Sequence, residues 1–385
     1  MKKICFITTS RADFGTLDEL IQKAVERKFF FVQIIISGSH TSKIFGSTEK
    51  EIKNRENCMI VKVKIKCQNN NPKAVTASFA DCVNKISNTL TKLKPDIFVV
   101  FGDRYEMLAA TIAAYILRIP IAHIGGGEKT SGSIDDGFRH SISKLSNLHF
   151  PVTDAYKKRL IQLGENPQTI FNYGSLNLTK IKKNDYLTKY ELEKKLKFKF
   201  LKKNLIVTYH PETIYPEKSL ENLTVVLNSI KNIKNTGMII TAPNADAQGI
   251  LMINYIKHFV KKNKLKNFLF IKSLGATTYL SLLKVVDGVV GNSSSGISEV
   301  PFFGIRTLNI GDRQHGRIMA SSILNCPVSK TRITESISKI LNEKFNKKIK
   351  KELRKYGNGQ AADKISKKIF FFDFKKYQKK FFYDI

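Results

Sequence analysis

Acidic residues recur at short intervals between positions 96 and 140, in DIFVVFGDRYEMLAATIAAYILRIPIAHIGGGEKTSGSIDDGFRH. Asp103 closes the apolar run DIFVVFG, Glu128 follows IPIAHIGGG, and Asp135 with Asp136 opens the next helical segment. Carboxylates just past the C-terminal ends of strands stand where open α/β sheets hold their ligands. Several of them in so short a span suit proton transfer at one substrate atom better than surface solvation. A plainer alternative exists, because Asp103 and Asp135 also stand where helix N-caps stand.

A second group of residues suits an anion. Residues 291–296 read GNSSSG, between the apolar run VVDGVV and the helical-looking ISEVPFF. Small residues at a strand-to-helix turn let backbone N–H groups point at a phosphate, and a helix N-terminus adds partial positive charge. Ser294, Ser295 and Gly296 form this candidate turn, and Glu299, read as one turn into the helix, suits a ribose diol. The alternative is a capped serine turn. Arg11, in TTSRADFG, directly follows the first strand, where a guanidinium can clamp a diphosphate. His210 ends LIVTYH ahead of Pro211 and is either a phosphate donor or a buried structural imidazole. GDRQHGR adds Arg313, with His315 and Arg317 beside it. The histidines show no HExxH spacing, and the acidic residues form no DxD pair. A departing diphosphate would therefore be met by Arg, His, Ser and a helix end, not by a metal. No GxSxG elbow occurs, which disfavours a serine hydrolase.

These side chains need a scaffold that ends many strands along one edge. The sequence supplies it: ICFITT, FVQIIISGS, DIFVVFGD, IPIAHIGGG and NLHFPVT are five apolar runs separated by helical spacing. After a lysine-rich stretch, NLIVTYHPE, GMIITAPNAD, NFLFIKSLG, VVDGVVGNSSSG and RTLNIGDR repeat the pattern. Near-continuous apolar strands alternating with helices predict α/β architecture, with parallel sheets covered on both faces. We expect two doubly wound, Rossmann-like domains, at 1–175 and 176–362, and a C-terminal amphipathic helix over 363–385. That helix either packs on the body or lies on a membrane surface.

Composition sets further bounds. The 385 residues carry 65 Lys and Arg against 32 Asp and Glu, a formal charge of +33. The lysines are dispersed and interleave with no RNA-binding aromatic motif or zinc-finger spacing, so nucleic acid is not the expected partner. A field of that sign still attracts small anions. No apolar run approaches the roughly 18 residues of a membrane span. The five cysteines form no CxxC pair, which points to a reduced, cytoplasmic protein.

Taken together, TSRADFG, SGSH, PDIFVVFGDRYEM, HIGGGEKTSGSIDDGFRHSISKL, YHPET and GNSSSGISE resemble the UDP-N-acetylglucosamine 2-epimerases, in matching order over about residues 1–330. The form GGGE…SIDDGFRH is similar to the hydrolysing branch that feeds sialic-acid-like and legionaminic-acid-like pathways. The non-hydrolysing branch has an EAGLR-type segment there. The aromatic tail and the lysine load lie outside the resemblance. It implies a glycosyltransferase-B-type fold with the nucleotide in the interdomain cleft. It also implies a C-terminal helix returning to the first domain, and a homodimer or higher oligomer. No cofactor is expected. The implied substrate is a nucleotide-activated 2-acetamido sugar, UDP-N-acetylglucosamine or UDP-N,N'-diacetylbacillosamine, with a GDP-linked version and a glycosyltransferase of the same fold as alternatives. Carried over, Asp103, Glu128 and Asp135 are candidate acid/base groups, with Asp136 a contender. Arg11, His210, Ser294, Ser295 and Arg313 would hold the diphosphate, and Glu299 the ribose. Ser39, His40, Arg139 and His140 are candidate sugar contacts.

Overall fold

The structure, a computed structural model, describes residues 1–41, 48–52, 54–65, 71–244, 246–342 and 349–385. Its apolar runs form two six-stranded sheets. The first holds β1 (Lys2–Thr8), β2 (Phe30–Ile36), β3 (Cys58–Lys62), β4 (Ile97–Phe101), β5 (Ile121–Ile124) and β6 (Leu148–Phe150), in the order β3-β2-β1-β4-β5-β6. The second holds β7 (Lys203–Thr208), β8 (Thr236–Thr241), β9 (Phe268–Ile271), β10 (Gly288–Gly291), β11 (Arg306–Ile310) and β12 (Ile323–Cys326), in the order β12-β11-β10-β7-β8-β9. Every pairing is parallel. Both sheets therefore reverse their winding once, between β1 and β4 and between β7 and β10. Those two switch points are where a doubly wound sheet opens a crevice for a ligand.

Helices cover the sheets where local chemistry starts them. In α1 (Arg11–Glu26) the Ser10 hydroxyl accepts from the Asp13 N–H, and the Asp13 carboxylate accepts from the Ser10 N–H at 3.1 Å, a reciprocal cap. Asn71 caps α2 (Pro72–Leu93), whose first residue is a proline that forfeits no helical bond there. Then follow α3 (Tyr105–Ile116), α4 (Asp135–Leu145), α5 (Asp154–Gln162) and α6 (Leu176–Lys183). The last helix, Ala361–Phe371, returns to the first sheet and buries Ala361, Ala362, Ile365 and Ile369 beside Phe6, Leu17 and Ile21. Burial of Ile365 and Ile369 alone favours that docking by roughly 3–6 kcal/mol before entropy is counted.

Three features depart from the sequence expectation. The alternation of apolar runs predicts five strands in each half; the structure adds β3 and β12. Both are edge strands with mixed burial, CMIVK and ILNC, so neither shows a sustained apolar signal. The expected helix over 363–385 begins at Ala361 and stops at Phe371. Beyond it the chain runs as a non-helical tail across the first domain. There Asn147 Nδ2 donates to the Tyr377 carbonyl at 3.1 Å, and the Tyr383 N–H donates to the Gly164 carbonyl at 3.0 Å. Lys380 Nζ donates to the Lys144 carbonyl at 2.7 Å, supplying a cation to the C-terminal end of α4. A membrane-surface helix is therefore not what this segment forms. Among the described residues no helix is long and apolar enough to cross a membrane.

Candidate active site

The switch points face each other across one cleft of about 320 Å³. The first sheet lines it with Asp103 and Arg104 after β4, Glu128 after β5, and Asp135 and Arg139 from α4. The second lines it with Thr208 and His210 after β7, Asn244 after β8, Ser293, Ser294 and Ser295 after β10, and Arg313, Gln314 and Arg317 after β11.

Arg139 organises the acidic wall. It is 1% exposed, pairs with Asp103, and donates through Nη1 to Asp136 Oδ1 at 3.1 Å and to the Glu128 carbonyl at 3.2 Å. One buried guanidinium thus fixes the strand-end loops that carry two candidate acids. Asp103 is also held from its own side. Its preceding residue, Gly102, has φ +80° and gives its carbonyl to His123 Nε2 at 2.9 Å. The Ser143 hydroxyl lies 3.0 Å from His123 Nδ1. With Nε2 as donor to a carbonyl, Nδ1 accepts from the serine. Burial pushes this imidazole down to about 3 against the opposing effect of its bond to the Gly102 carbonyl, so it is a neutral brace.

The adjacent pair on α4 divides. Asp135 faces the cleft, with its carboxylate bonded to the Ser133 hydroxyl. Asp136 turns inward to the Thr130 N–H and Arg139, with His140 Nε2 at 3.6 Å, and neither Asp136 nor His140 lines the cleft. Burial, then the negative charge of Asp246, push Asp135 above the usual carboxylate range; Arg313, Arg104 and the Ser133 bond oppose this without overcoming it.

The second wall is built for an anion. At Gly291 the backbone adopts φ +136°, and a Cβ there would lie 2.6 Å from the Thr208 carbonyl carbon. Only glycine brings β10 this close to β7 before the serine turn. The helix after that turn is one turn long, Ser295–Ser298, shorter than the sequence suggests. Pro301 lies just beyond, and Glu299 ends the turn at φ −122°. Glu299 still lines the cleft, with Lys180 Nζ of α6 at 3.5 Å. Gly296 does not; a Cβ on it would meet Thr307 Cγ2 at 2.7 Å, so it serves packing. The Asn244 N–H donates to His210 Nδ1 at 3.0 Å, which puts the ring proton on Nε2. Tyr279, absent from the sequence reasoning, joins its hydroxyl to Ser295 Oγ at 2.5 Å.

Besides Asp136, His140 and Gly296, two more of the sequence candidates lie outside the cleft. Ser39 Oγ donates to the Thr9 carbonyl at 3.0 Å. His40 is wholly buried between Thr8 Oγ1 at 2.9 Å and Thr48 Oγ1 at 2.8 Å. Neither lines the cleft; both brace the loop after β1, because a polar strand end inside a core must satisfy its own bonds first. The side chain of Arg11 lies outside the described residues.

Of the GDRQHGR residues, Arg313 and Arg317 reach the cleft, and Arg104 of the FGDRYEM segment joins them. Arg317 Nη1 pairs with Glu128 Oε2 at 2.6 Å, and its Nη2 lies 3.9 Å from Asp103 Oδ2. Arg104 Nη1 reaches Asp246 Oδ1 of the opposite wall at 3.1 Å. Asp246 follows β8 and obeys the same strand-end rule that singles out Asp103. The walls also join through Ser131 N–H to the His315 carbonyl at 2.9 Å, and Ser133 Oγ lies 3.0 Å from Thr213 Oγ1.

Two doubly wound sheets that meet at their switch points define a two-domain α/β protein of the glycosyltransferase-B type. Among solved structures, the UDP-GlcNAc 2-epimerase of Methanocaldococcus jannaschii in complex with UDP-GlcNAc and UDP has this fold, with a TM-score of 0.78 at 18% identity, covering 96% of this chain and 100% of that one. Residues 22–370 match the sequence family described as UDP-N-acetylglucosamine 2-epimerase, and the chain belongs to that family. The GDP/UDP-N,N'-diacetylbacillosamine 2-epimerase (hydrolyzing) of Campylobacter jejuni is 39% identical, covering 89% of this chain and 88% of that protein. Polysialic acid biosynthesis protein P7 of Escherichia coli is 36% identical, covering 90% and 88%.

Proposed function

We propose that this protein is a hydrolysing nucleotide-sugar 2-epimerase. It takes a UDP-linked 2-acetamido sugar and releases UDP and the free manno-configured sugar. The observation that carries this reading is the meeting of three carboxylates, Asp103, Glu128 and Asp135, with a serine, histidine and arginine wall in one cleft. A carboxylate removes the C2 proton while the diphosphate leaves C1, giving a 2-acetamidoglycal. Water then adds at C1 and a proton returns to C2 from the opposite face. Two faces of one carbon need two proton-handling groups, and their environments must differ. Asp135, pushed toward its protonated form, suits the donor. Glu128 and Asp103 are the candidate bases. His210, Ser294, Ser295 and Arg313, with Arg11, receive the leaving diphosphate, and Glu299 the ribose.

We favour N,N'-diacetylbacillosamine, in its UDP- or GDP-linked form, over UDP-N-acetylglucosamine, because the Campylobacter jejuni relative carries that sugar in its name. On this reading the enzyme works in the cytoplasm, as a dimer or higher homo-oligomer, on a sialic-acid-like or legionaminic-acid-like route. The test is incubation with each UDP- and GDP-linked donor in D2O, followed by analysis of the released sugar. Free manno-configured sugar with deuterium at C2 is expected. Diphosphate release without deuterium at C2 rejects the elimination route, and transfer to an added acceptor in place of water marks a glycosyltransferase.

A further inference from the structure

We infer that Asp246 is a positioning residue for this reaction: a carboxylate of the second sheet that clasps Arg104 of the first and sets a fixed negative charge beside Asp135. The inference rests on the 2-epimerase reading of the cleft and adds to it a residue that none of the family-like motifs contains.

Asp246 lies in the loop after β8, and its side chain is 13% exposed. Its Oδ1 receives Arg104 Nη1 at 3.1 Å, and its Oδ2 faces Arg313 Nη2 at 3.8 Å. The partner is not free to wander. Arg104 Nε is held at 3.1 Å by Glu106, which is 1% exposed, so the guanidinium is pinned to the first sheet before it reaches across. A planar fork held on one side and presented on the other is the geometry in which arginine gives direction as well as charge.

The charges around Asp135 come from four places. Ser133 donates from the loop before α4, Arg104 stands at the end of β4, Arg313 in the loop after β11, and Asp246 in the loop after β8. The cations favour the carboxylate form; burial and Asp246 favour the acid, and they prevail. Asp246 goes the other way. Burial works against its charge, but the Arg104 and Arg313 guanidiniums lead the groups that outweigh it and hold it below the usual carboxylate range. Two neighbouring carboxyl groups are thus driven in opposite directions, Asp246 toward its ionised form and Asp135 toward its protonated one, as acid–base division of labour requires. Because Asp246 belongs to the opposite wall, the arrangement exists only while the two walls are together.

The test compares D246N and D246E with the wild type in the dependence of kcat on pH, read as UDP release at saturating donor. Removing a negative charge, and freeing two arginines to face Asp135, lowers the midpoint of Asp135 whether it acts as acid or base. The limb it governs should move to lower pH by about one unit in D246N and stay near the wild-type position in D246E, which keeps the charge. A D246N profile that superimposes on the wild type after scaling, or moves upward, overturns the inference. So does a D246E profile displaced like that of D246N. The Asp135 carboxyl carbon, identified in 13C-labelled protein by its loss in D135N, can be titrated with no substrate present. An unmoved midpoint in D246N overturns the inference by itself, and absence of turnover with every donor overturns the enzyme reading alone.

Discussion

Gly132 touches the opposite wall more closely than any side chain would allow. A Cβ built on it would lie 2.5 Å from the Asp312 carbonyl carbon and 3.0 Å from Arg313 Cα, and nearer still to the Asp312 oxygen. Carbon atoms settle at about 3.5–4.0 Å, so the substitution Gly132→Ala forces the loop at residues 312–317 back by roughly 1 Å. The same loop carries Arg317, now 2.6 Å from Glu128, and the His315 carbonyl, now 2.9 Å from the Ser131 N–H. A retreat of that size takes both contacts beyond about 3.5 Å, which breaks the Ser131 hydrogen bond and loosens the Arg317–Glu128 ion pair. Misplacement by about 1 Å in an active site costs on the order of 10²-fold in rate, equivalent to about 2.7 kcal/mol of barrier. Neither hydrophobic core is touched, so the thermal midpoint should stay close to that of the wild type. The assay is kcat at saturating donor beside a thermal denaturation curve, with calorimetric binding of UDP, which on the proposed reading is held mainly by the second wall. A G132A variant that turns over within about threefold of wild type would refute the claim that catalysis needs the walls this close.

Two further outcomes follow from the acidic wall and its brace. E128Q and D103N should each lose about 10²–10⁴-fold in turnover while still binding UDP; near-normal turnover in both removes these residues from the chemistry. D103N should also lower the melting temperature, because it deprives Arg139, 1% exposed, of a charged partner. His123 governs acid stability. Its folded value near 3 lies below the ordinary 6.5, so the unfolded chain takes up the proton first, and stability present above pH 6.5 declines as pH falls toward 3. At pH 5 that single site should cost roughly 2 kcal/mol. Urea unfolding at pH 7 and pH 5 should show a shallower loss in H123Q than in wild type; equal losses would mean the imidazole is not held neutral.

The chain announces some of this site and conceals the rest for physical reasons. Asp103, Glu128 and Asp135 are legible because each directly follows an apolar run or opens a helix, and a sheet edge gathers strand ends by its own topology. Asp246 obeys the same rule after β8, yet a lone carboxylate in PNADAQG carries no weight until Arg104 is seen opposite it. The choice between Asp135 and Asp136 depends on the rotation of α4: Arg139 stands three residues after Asp136 and turns it inward, but the burial of Arg139 and its pairing with Asp103, which set that rotation, cannot be read from the spacing. Glu299 fails as a helix residue because one proline two positions on outweighs the helical look of ISEVPFF. Ser39 and His40 are polar strand-end residues like the others, but they end β2, one strand away from the switch point between β1 and β4. Strand order, not strand-end position alone, decides which polar residues meet the ligand.

That same order explains how charge is distributed across the cleft. The first wall brings Asp103, Glu128 and Asp135; the second brings His210, Arg313 and Arg317. Yet the cations are already answered: Arg317 by Glu128 at 2.6 Å, Arg313 by Asp246 at 3.8 Å, and Lys180 by Glu299 at 3.5 Å. Among the described side chains, a diphosphate entering this cleft meets arginine and lysine groups that already face carboxylates, whatever the +33 of the whole chain. It exchanges carboxylate partners for phosphate oxygens, and the net gain is the difference between the two sets of pairs. The exchange has a chemical consequence as well as an energetic one. On the proposed reading, a carboxylate that gives up its arginine to the leaving group is released beside the sugar, so substrate binding and preparation of the base would be one event.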